Sequence, residues 1–304
     1  MGLKVSNVDK SFSGKKAVDN ISFEIDKPGV FGLLGTNGAG KTTTIRMLLG
    51  IINKDKGLIS WNGKDVKRKH VNFGYMPEER GVYPKTKIFD QLMYFAELKE
   101  MRKSKAEEAI KYWLKKLEIE EYINMPAEKL SKGNQQKVQF VIAVMHDPEL
   151  IVLDEPFSGL DPVNTELLKK IILELVKMGK YIIMSSHQMT SIEEFCTDIL
   201  ILNRGKTILK GNLKTIKNSY PANKLEIVVN KNIDKEIENI GFHDYENIDN
   251  RYSITINSEE KANILFKNLA LVDDLNVIKF ELKKPSLNDI FIEKVGVQKW
   301  RILQ

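Results

Sequence analysis

Residues 35–43 read GTNGAGKTT and directly follow an apolar run, VFGLL at 30–34. The spacing G-x-x-x-x-G-K-[ST] is typical of a loop that joins a buried strand to the first turn of a helix. Its glycines let backbone N–H groups wrap phosphate oxygens, and the helix N-terminus adds a partial positive charge. The stretch therefore predicts a phosphate-binding loop in an α/β fold. The candidate nucleotide-binding residues of this loop are Gly35, Thr36, Asn37, Gly38, Ala39, Gly40, Lys41, Thr42 and Thr43.

Two side chains of the loop have more specific predicted roles. We expect Lys41 to reach the β- and γ-phosphates of a nucleoside triphosphate, which makes it a candidate catalytic residue. We expect the Thr42 hydroxyl to bind Mg²⁺ beside those phosphates. A glycine-rich turn without a ligand is the alternative, but the strand before the loop and the helix after it favour a nucleotide site.

A second apolar strand, LIVLDEP at 150–156, ends in two adjacent carboxylates. Asp154 is a candidate Mg²⁺ ligand, because a carboxylate at the end of a buried strand can hold the ion through water beside Thr42. Glu155 is the candidate catalytic base, because neighbouring side chains on a strand point in different directions and can serve metal and attacking water separately. A polar strand end without function is the alternative for this pair.

A third apolar strand, YIIMSSH at 181–187, ends in His187. Ligands of open α/β folds bind at the carboxyl edge of the parallel sheet, where this strand is expected to end. We therefore expect His187 to reach the γ-phosphate or to orient Glu155, as a third candidate catalytic residue. A purely structural histidine is the alternative.

The order of strand and helix signals predicts two domains. Residues 1–214 are expected to form an α/β domain with a mixed β-sheet core, antiparallel N-terminal strands and an inserted helical subdomain at about 86–145. Within that insertion, Thr86 and the capping-box pattern at 104–107 predict the starts of two helices. Residues 215–304 predict a small α+β domain of βα(β)βαβ order, for which a ferredoxin-like fold is one option.

The apolar stretches and the cysteine content of the chain indicate its location in the cell. No stretch approaches the ~18 consecutive apolar residues of a membrane-spanning helix, and the N-terminus lacks the apolar core of a signal peptide. The single cysteine, Cys196, rules out an internal disulfide and indicates a reducing compartment, so a cytoplasmic location is expected.

The net charge is +6, yet residues 215–304 carry 13 basic and 14 acidic side chains, so the excess lies in residues 1–214. Its lysines are scattered and not interleaved with aromatic residues. This distribution is typical of a solvated surface, with attraction to an anionic membrane face as the alternative, and no nucleic-acid partner is expected.

Further motifs occur in a fixed order along the chain: LSKGNQQKVQ at 130–139, SGLD at 158–161 and SSH at 185–187. Together with the phosphate loop and LIVLDEP, they resemble the ATP-binding subunit of an ABC transporter, a P-loop NTPase, over residues 3 to about 211. The segments GYMPEERGVYP and PSLNDIFIEKV further resemble a bacterial exporter-type subgroup with a small C-terminal domain, whose members include sodium and drug or peptide exporters.

The resemblance implies roles for residues that carry no chemistry by themselves. Phe12 lies where an aromatic ring stacks on adenine. Ser131, Gly133 and Asn134 lie in the signature sequence, which contacts ATP held by the opposite subunit of a dimer. Asn134 departs from the usual glutamine, which weakens the match at that position. Asp161 corresponds to the residue that communicates across the dimer.

Glu78 is a second departure from the family pattern, because related loops present glutamine near Mg²⁺ and the attacking water. Its carboxylate can still supply an oxygen ligand, so it completes the candidate metal ligands with Thr42 and Asp154, but it adds negative charge beside the triphosphate. A solvated loop residue is the alternative. The following segment, 79–100, is where a permease would dock by resemblance, with Val82, Tyr83 and Phe89 as candidate contacts.

The implied function is an ATP-hydrolysing subunit that uses ATP and Mg²⁺ and forms a dimer with itself or with a sister subunit. It would power separate membrane permease subunits, most readily those of an exporter, from the inner face of the cell membrane. The alternative function is a soluble ABC ATPase that acts on the ribosome or DNA. The chain has a single cassette and no heptad run, which does not favour that alternative. A P-loop kinase is a third possibility, but it would leave the motifs LSKGN and SGLD unexplained.

Overall fold

The computed structural model describes residues 2–66, 72–79 and 81–302. The chain folds into two compact units, Met1–Gly211 and Asn212–Gln304, whereas the boundary predicted from the sequence lies after residue 214. The strands of the first unit are β1 (Leu3–Phe12), β2 (Lys15–Ile25), β3 (Gly29–Gly35), β4 (Lys56–Trp61), β5 (Lys64–Asp65), β6 (Phe73–Met76), β7 (Leu150–Asp154), β8 (Tyr181–Ser186), β9 (Asp198–Asn203) and β10 (Lys206–Asn212). Its helices are α1 (Lys41–Leu48), α2 (Ile88–Leu98), α3 (Lys103–Lys116), α4 (Lys132–Val144), α5 (Pro162–Lys177) and α6 (Met189–Glu193).

The N-terminal strands form an antiparallel sheet of order β2-β1-β4-β5. The turn between β1 and β2 places Ser13 and Gly14 at φ values of 47° and 79°. Two consecutive residues of positive φ make the tight turn that matches the natural twist of a hairpin. This sheet confirms the antiparallel N-terminal strands expected from the sequence.

The central sheet has the order β10-β9-β3-β8-β7-β6, and its strands from β9 to β6 are parallel. Every residue of β3 and β7 is buried, which explains their uninterrupted apolar sequences. In the register of the sheet, Asp154 lies beside Ser185 and Leu34 lies beside Ser186. The carboxyl ends of β3, β7 and β8 therefore meet at one edge of the sheet, directly before the phosphate loop, Glu155 and His187.

A shared apolar core joins the antiparallel sheet to the central sheet. Phe23 of β2 stacks on Phe31 of β3 with ring centroids 4.9 Å apart. Val5, Ile59 and Ile45 of α1 belong to the same buried cluster. Burial of each such side chain contributes roughly 1.5–3 kcal/mol relative to exposure. This packing holds β3 and α1, and therefore the loop between them, in a fixed position.

Two helix starts in the inserted helical region differ from the sequence prediction. Helix α2 begins at Ile88 and helix α3 at Lys103, and the residues before them make no side-chain capping bond. The predicted caps at Thr86 and at 104–107 are therefore wrong. At α2 the reason is tertiary: Ile88 is fully buried, and its backbone N–H donates to the carbonyl oxygen of Met125 at 3.0 Å.

The second unit contains α7 (Leu213–Asn218), β11 (Lys224–Val229), α8 (Asp234–Asn239), β12 (Tyr245–Ile248), β13 (Arg251–Thr255), α9 (Glu259–Leu269), β14 (Val277–Lys283) and α10 (Leu287–Ile302). Its sheet is antiparallel with the order β12-β13-β11-β14. With α8 and α9 in the connections, this is the βαββαβ order of ferredoxin-like domains. Leu225, Ile227, Ile254 and Leu265 belong to its own buried core.

Candidate active site

The phosphate loop makes a close turn between β3 and α1. Gly40 has a φ of 106°, and a Cβ atom there would lie 2.6 Å from the carbonyl oxygen of Ala17, so a larger residue would not fit. Lys41 is 7% exposed, and its Nζ atom donates a hydrogen bond of 2.8 Å to the carbonyl oxygen of Gly35. A buried ammonium at a helix N-terminus favours an anionic ligand.

The loop borders a cavity of about 250 Å³, which Glu78 enters from the segment after β6. The lining residues are Ala17, Asn37, Gly38, Ala39, Gly40, Lys41, Thr42, Thr43 and Glu78. Glu78 therefore borders the same cavity as Lys41 and Thr42, and its charge contributes to raising the pKa of Asp154.

A second cavity, of about 480 Å³, shares Ala17 and Gly38 with the first. Its other lining residues are Phe12, Lys15, Lys16 and Arg204. The Phe12 ring is 48% exposed, and the ammonium of Lys10 lies 5.3 Å from its centroid. An exposed aromatic ring next to a phosphate cavity can stack on a nucleotide base. The three cations of this cavity were not predicted from the sequence, because single basic residues in a lysine-rich chain give no signal.

Asp154 lies at the end of β7 and is 1% exposed. Its Oδ1 atom accepts a hydrogen bond from the Ser185 hydroxyl, while its Oδ2 atom is buried without a hydrogen-bond partner among the described residues. Burial, with the charges of Glu78 and Glu155, raises the pKa of Asp154, although the Ser185 hydroxyl and Lys41 act in the opposite direction. A buried, unpaired carboxylate oxygen is suited to a cation or to water bound to one.

Glu155 follows at a φ of 51°, a conformation that is costly for a residue with a side chain. Its backbone N–H donates to the carbonyl oxygen of Ser185 at 3.2 Å. Its Oε1 atom lies 2.9 Å from Nδ1 of His187 and 3.9 Å from Nζ of Lys41. The three predicted catalytic residues therefore lie together, and the carboxylate can accept a proton from water between an imidazole and an ammonium.

Ser185 is a site residue that sequence reasoning did not single out. It contacts both acids, because its hydroxyl donates to Asp154 and its carbonyl oxygen accepts from Glu155. Ser185 and Ser186 end an otherwise apolar strand, and this polar pair was the available signal. Tyr75 was also missed: burial first, and then the charge of Asp154, raise its pKa to about 12, so it stays neutral beside the carboxylates.

The signature residues lie at the start of α4, and Asp161 lies at the start of α5. The Ser131 side chain caps α4 by accepting a hydrogen bond of 3.2 Å from the backbone N–H of Asn134. A Cβ atom on Gly133 would lie 3.3 Å from the Leu160 side chain. Asp161 caps α5 by accepting from the backbone N–H of Asn164 at 2.9 Å, and this bond lowers the pKa of Asp161. Among the described residues that line the two cavities, none of these appears.

Comparison with known proteins identifies the family. The model of the family described as "ABC transporter" matches residues 18–158, and that of the "ATP-binding protein DrrA1-3-like, C-terminal domain" matches residues 211–295. YhaQ of Bacillus subtilis (strain 168), an uncharacterized ABC transporter ATP-binding protein, is 45% identical over 97% of this chain and 98% of its own length. The chain belongs to the ABC transporter ATP-binding protein family.

Other relatives of this ABC protein agree. MJ1023 of Methanocaldococcus jannaschii, also named an ABC transporter ATP-binding protein, is 43% identical over 96% of this chain and 98% of its own length. LptB of Haemophilus influenzae, the ATP-binding protein of a lipopolysaccharide export system, is 30% identical over 71% of this chain and 92% of its own length. A solved structure described as an "ATP binding subunit of ABC transporter" superposes with a TM-score of 0.67 at 28% identity, covering 72% of this chain and 93% of that chain.

Family membership confirms the P-loop α/β fold and the activity. ABC ATP-binding cassettes bind ATP, hydrolyse it to power transport, dimerise and work with membrane permease subunits. The transporter names of the relatives do not favour the ribosome or DNA alternative. Within the described part of the chain, none of the helices has the length and apolar character needed to cross a membrane.

Proposed function

We propose that this ABC ATPase forms a head-to-tail dimer around two ATP molecules and drives separate permease subunits of an exporter. The observation that carries the proposal is the separation of two sets of site residues within one chain. Lys41, Glu155 and His187 contact one another, whereas Ser131 and Gly133 lie at the start of α4. Among the described residues, no hydrogen bond or ion pair joins Ser131 or Gly133 to any of these three. A second copy can supply the missing set.

In this proposal each subunit supplies the base and the phosphate loop for its own ATP. Phe12 stacks on the adenine, and the loop amides and Lys41 hold the phosphates. Glu155 takes a proton from the attacking water, while His187 orients the carboxylate from 2.9 Å away. Lys41, already 3.9 Å from the same carboxylate, balances negative charge that develops on the γ-phosphate.

Mg²⁺ fits the residues present, because Oδ2 of Asp154 is buried and unpaired and Glu78 and Thr42 line the phosphate cavity. Asp154, Thr42 and Glu78 would hold the ion. The bound ion would neutralise charge on the β- and γ-phosphates. Mg²⁺ usually keeps several waters and is bound through one or two carboxylates and substrate phosphates, so these three residues would not have to complete its coordination.

The opposite subunit would contribute the hydroxyl of Ser131, the backbone of Gly133 and the N-terminal dipole of α4 to the γ-phosphate. Asn134 is the part of this interface that departs from the family, and its backbone N–H already donates to Ser131. Asp161, at the start of α5, would carry the state of one site to the other. The partner is a second copy of this chain or a sister subunit.

Three observations support a role in export at the inner face of the cell membrane. The sequence resembles exporter-type subunits that have a small C-terminal domain, and a C-terminal family model does match residues 211–295. The name of LptB states an export system. Tyr83 is 50% exposed and packs near Phe95 at 6.1 Å between ring centroids, so it offers a fixed aromatic contact for a permease. Val82 and Phe89 are only partly exposed.

Mixing two defective subunits tests the dimer. In a Glu155→Gln background, one subunit carries Lys41→Ala and the other carries Ser131→Arg. Lys41→Ala alone should not retain ATP, and Ser131→Arg alone should bind ATP only as a monomer. A mixture contains one site with both halves intact and should form a dimer that retains about one ATP. Size-exclusion chromatography with labelled ATP gives the readout, and an ATP-bound dimer of Ser131→Arg alone, or no dimer in the mixture, would contradict the shared site.

We also propose that residues 215–304 form a separable domain. The separate buried core of the second unit supports this view. A chain of residues 1–214 should still bind ATP with the affinity of the full chain and unfold cooperatively. Loss of all folded signal in circular dichroism would contradict the predicted boundary.

A further inference from the structure

Gln139 of α4, the helix capped by Ser131, contacts the loop that carries Glu78. Its side chain is 3% exposed. Its Nε2 atom donates to the carbonyl oxygen of Pro77 at 2.6 Å and to that of Glu79 at 3.1 Å. The two accepting carbonyls lie immediately before and after Glu78 in the chain. One buried amide therefore fixes the backbone on both sides of Glu78, a residue that lines the phosphate cavity.

Gln136 makes an equivalent contact with the loop that carries Glu155. Its side chain is 5% exposed, and Nε2 donates to the carbonyl oxygens of Glu155 and Pro156, each at 3.3 Å. Because Gln136 and Gln139 are three residues apart in α4, they share one face of the helix. The same helix face thus holds the backbone at both Glu78 and Glu155.

Only the donating end of the Gln139 amide takes part in these contacts. Oε1 of Gln139 is buried and has no hydrogen-bond partner among the described residues, so only the donating end of the amide is used. Leaving a buried acceptor unpaired is unfavourable. The two bonds to the Glu78 loop are therefore the polar contacts that orient this side chain.

We propose that Gln139 is a positioning residue for Glu78. When Ser131 contacts the ATP held by the partner subunit, α4 transmits that contact through Gln139 to the Mg²⁺ ligand Glu78 of the subunit's own site. A shift of α4 moves Gln139 and, with it, the backbone on either side of Glu78. Gln136 ties the same shift to the backbone of Glu155. This inference rests on the proposed role of Glu78 as a ligand of Mg²⁺.

The variant Gln139→Met keeps the length and burial of the side chain but removes both donated bonds. The Mg²⁺ concentration that gives half-maximal binding of a fluorescent ATP analogue should rise about five- to tenfold, the effect of losing roughly one net hydrogen bond. Binding of the analogue without Mg²⁺ should not change. Hydrogen exchange at the backbone amides of Glu78 and Glu79 should become faster in the absence of nucleotide.

Gln135 offers a matched control on the same helix. Its Nε2 atom also donates to two carbonyl oxygens, those of Ala127 at 3.0 Å and Leu130 at 3.1 Å. These carbonyls lie outside the loops that carry Glu78 and Glu155. Gln135→Met should leave the Mg²⁺ titration and the exchange of Glu78 and Glu79 unchanged. If both glutamine variants shifted the Mg²⁺ titration equally, a general loosening of α4 would explain the effect and the proposal would be wrong.

A double-mutant cycle with Glu78→Ala tests whether Gln139 acts through Glu78. The effect of Gln139→Met on the Mg²⁺ titration should disappear in the Glu78→Ala background. Persistence of the full effect there would overturn the proposal. If Glu78→Ala alone left the titration unchanged, the ligand role of Glu78 would fail. The positioning role of Gln139 would then be decided by the exchange rates, which do not depend on metal, and unchanged rates would refute it.

Discussion

His187 lies 2.9 Å from Glu155, measured from Nδ1 to Oε1, and the same carboxylate oxygen lies 3.9 Å from Nζ of Lys41. The imidazole comes from the end of β8 and the ammonium from the start of α1. The left-handed backbone at Glu155, with a φ of 51°, directs the carboxylate between them. In this position His187 orients the base, and Lys41 keeps it close to the phosphate cavity.

Glu155→Gln should lower kcat for ATP hydrolysis by about 10²- to 10⁴-fold, because the amide cannot accept the proton of the attacking water. The affinity for ATP should stay within about twofold, and the ATP-bound dimer should accumulate, as size-exclusion chromatography will show. Glu166→Gln, which changes an exposed glutamate on α5, is the control. Unchanged turnover in Glu155→Gln would remove this residue from the role of base.

Asp154→Asn should stabilise the nucleotide-free protein while abolishing its response to Mg²⁺. The pKa of Asp154 is raised above the usual 3.8, chiefly by burial, so the ionised carboxylate costs stability at pH values above its folded-state pKa. Removing the charge should raise the unfolding temperature by roughly 2–4 °C per kcal/mol gained. The difference from wild type should be largest at neutral pH and shrink as pH falls towards 3.8. Thermal unfolding at several pH values measures it, and a destabilised variant at pH 7 would contradict the argument.

Phe12→Ala should weaken ATP binding by about 5- to 150-fold, because stacking of a base on an aromatic ring contributes roughly 1–3 kcal/mol. Binding of inorganic triphosphate should be unaffected, since that ligand has no base. Phe12→Trp should retain the affinity for ATP. Calorimetric titration with both ligands separates the outcomes, and an equal loss for ATP and triphosphate would show that Phe12 supports the loop instead of the base.

His146 should make the first unit sensitive to mild acid. Burial, assisted by the charge of Lys99, lowers the pKa of His146 from 6.5 to about 4, and its Nε2 atom lies 3.0 Å from the carbonyl oxygen of Phe73. Because the folded-state pKa is depressed, the stability contribution is fully present above pH 6.5 and is lost as pH falls towards 4. The total loss is of the order of 3 kcal/mol.

Urea unfolding at pH 7 and at pH 4.5 measures this dependence. In His146→Asn the difference between the two pH values should become smaller, because no imidazole remains to take up a proton. His243→Gln, which changes an exposed histidine of the second unit, should retain the wild-type difference. An unchanged pH dependence in His146→Asn would exclude His146 as its source.

Local patterns in the sequence were sufficient for the phosphate loop, the buried strands and the two adjacent acids. GTNGAGKTT encodes its own turn, because glycine is required where φ is positive, as at Gly40. The apolar runs of β3 and β7 encode strands buried on both faces. The caps of α4 and α5 by Ser131 and Asp161 are likewise set by neighbouring residues.

Only the tertiary structure decided which of these parts meet. The entry of Glu78 into the cavity of Lys41, the contact of Ser185 with both acids and the contact of Gln139 with the Glu78 loop join segments far apart in the chain. Such contacts depend on strand order and on packing of side chains, which no periodicity in the sequence encodes. The start of α2 shows the same limit: Thr86 is a good capping residue, yet burial of Ile88 and its backbone bond to Met125 set where the helix begins.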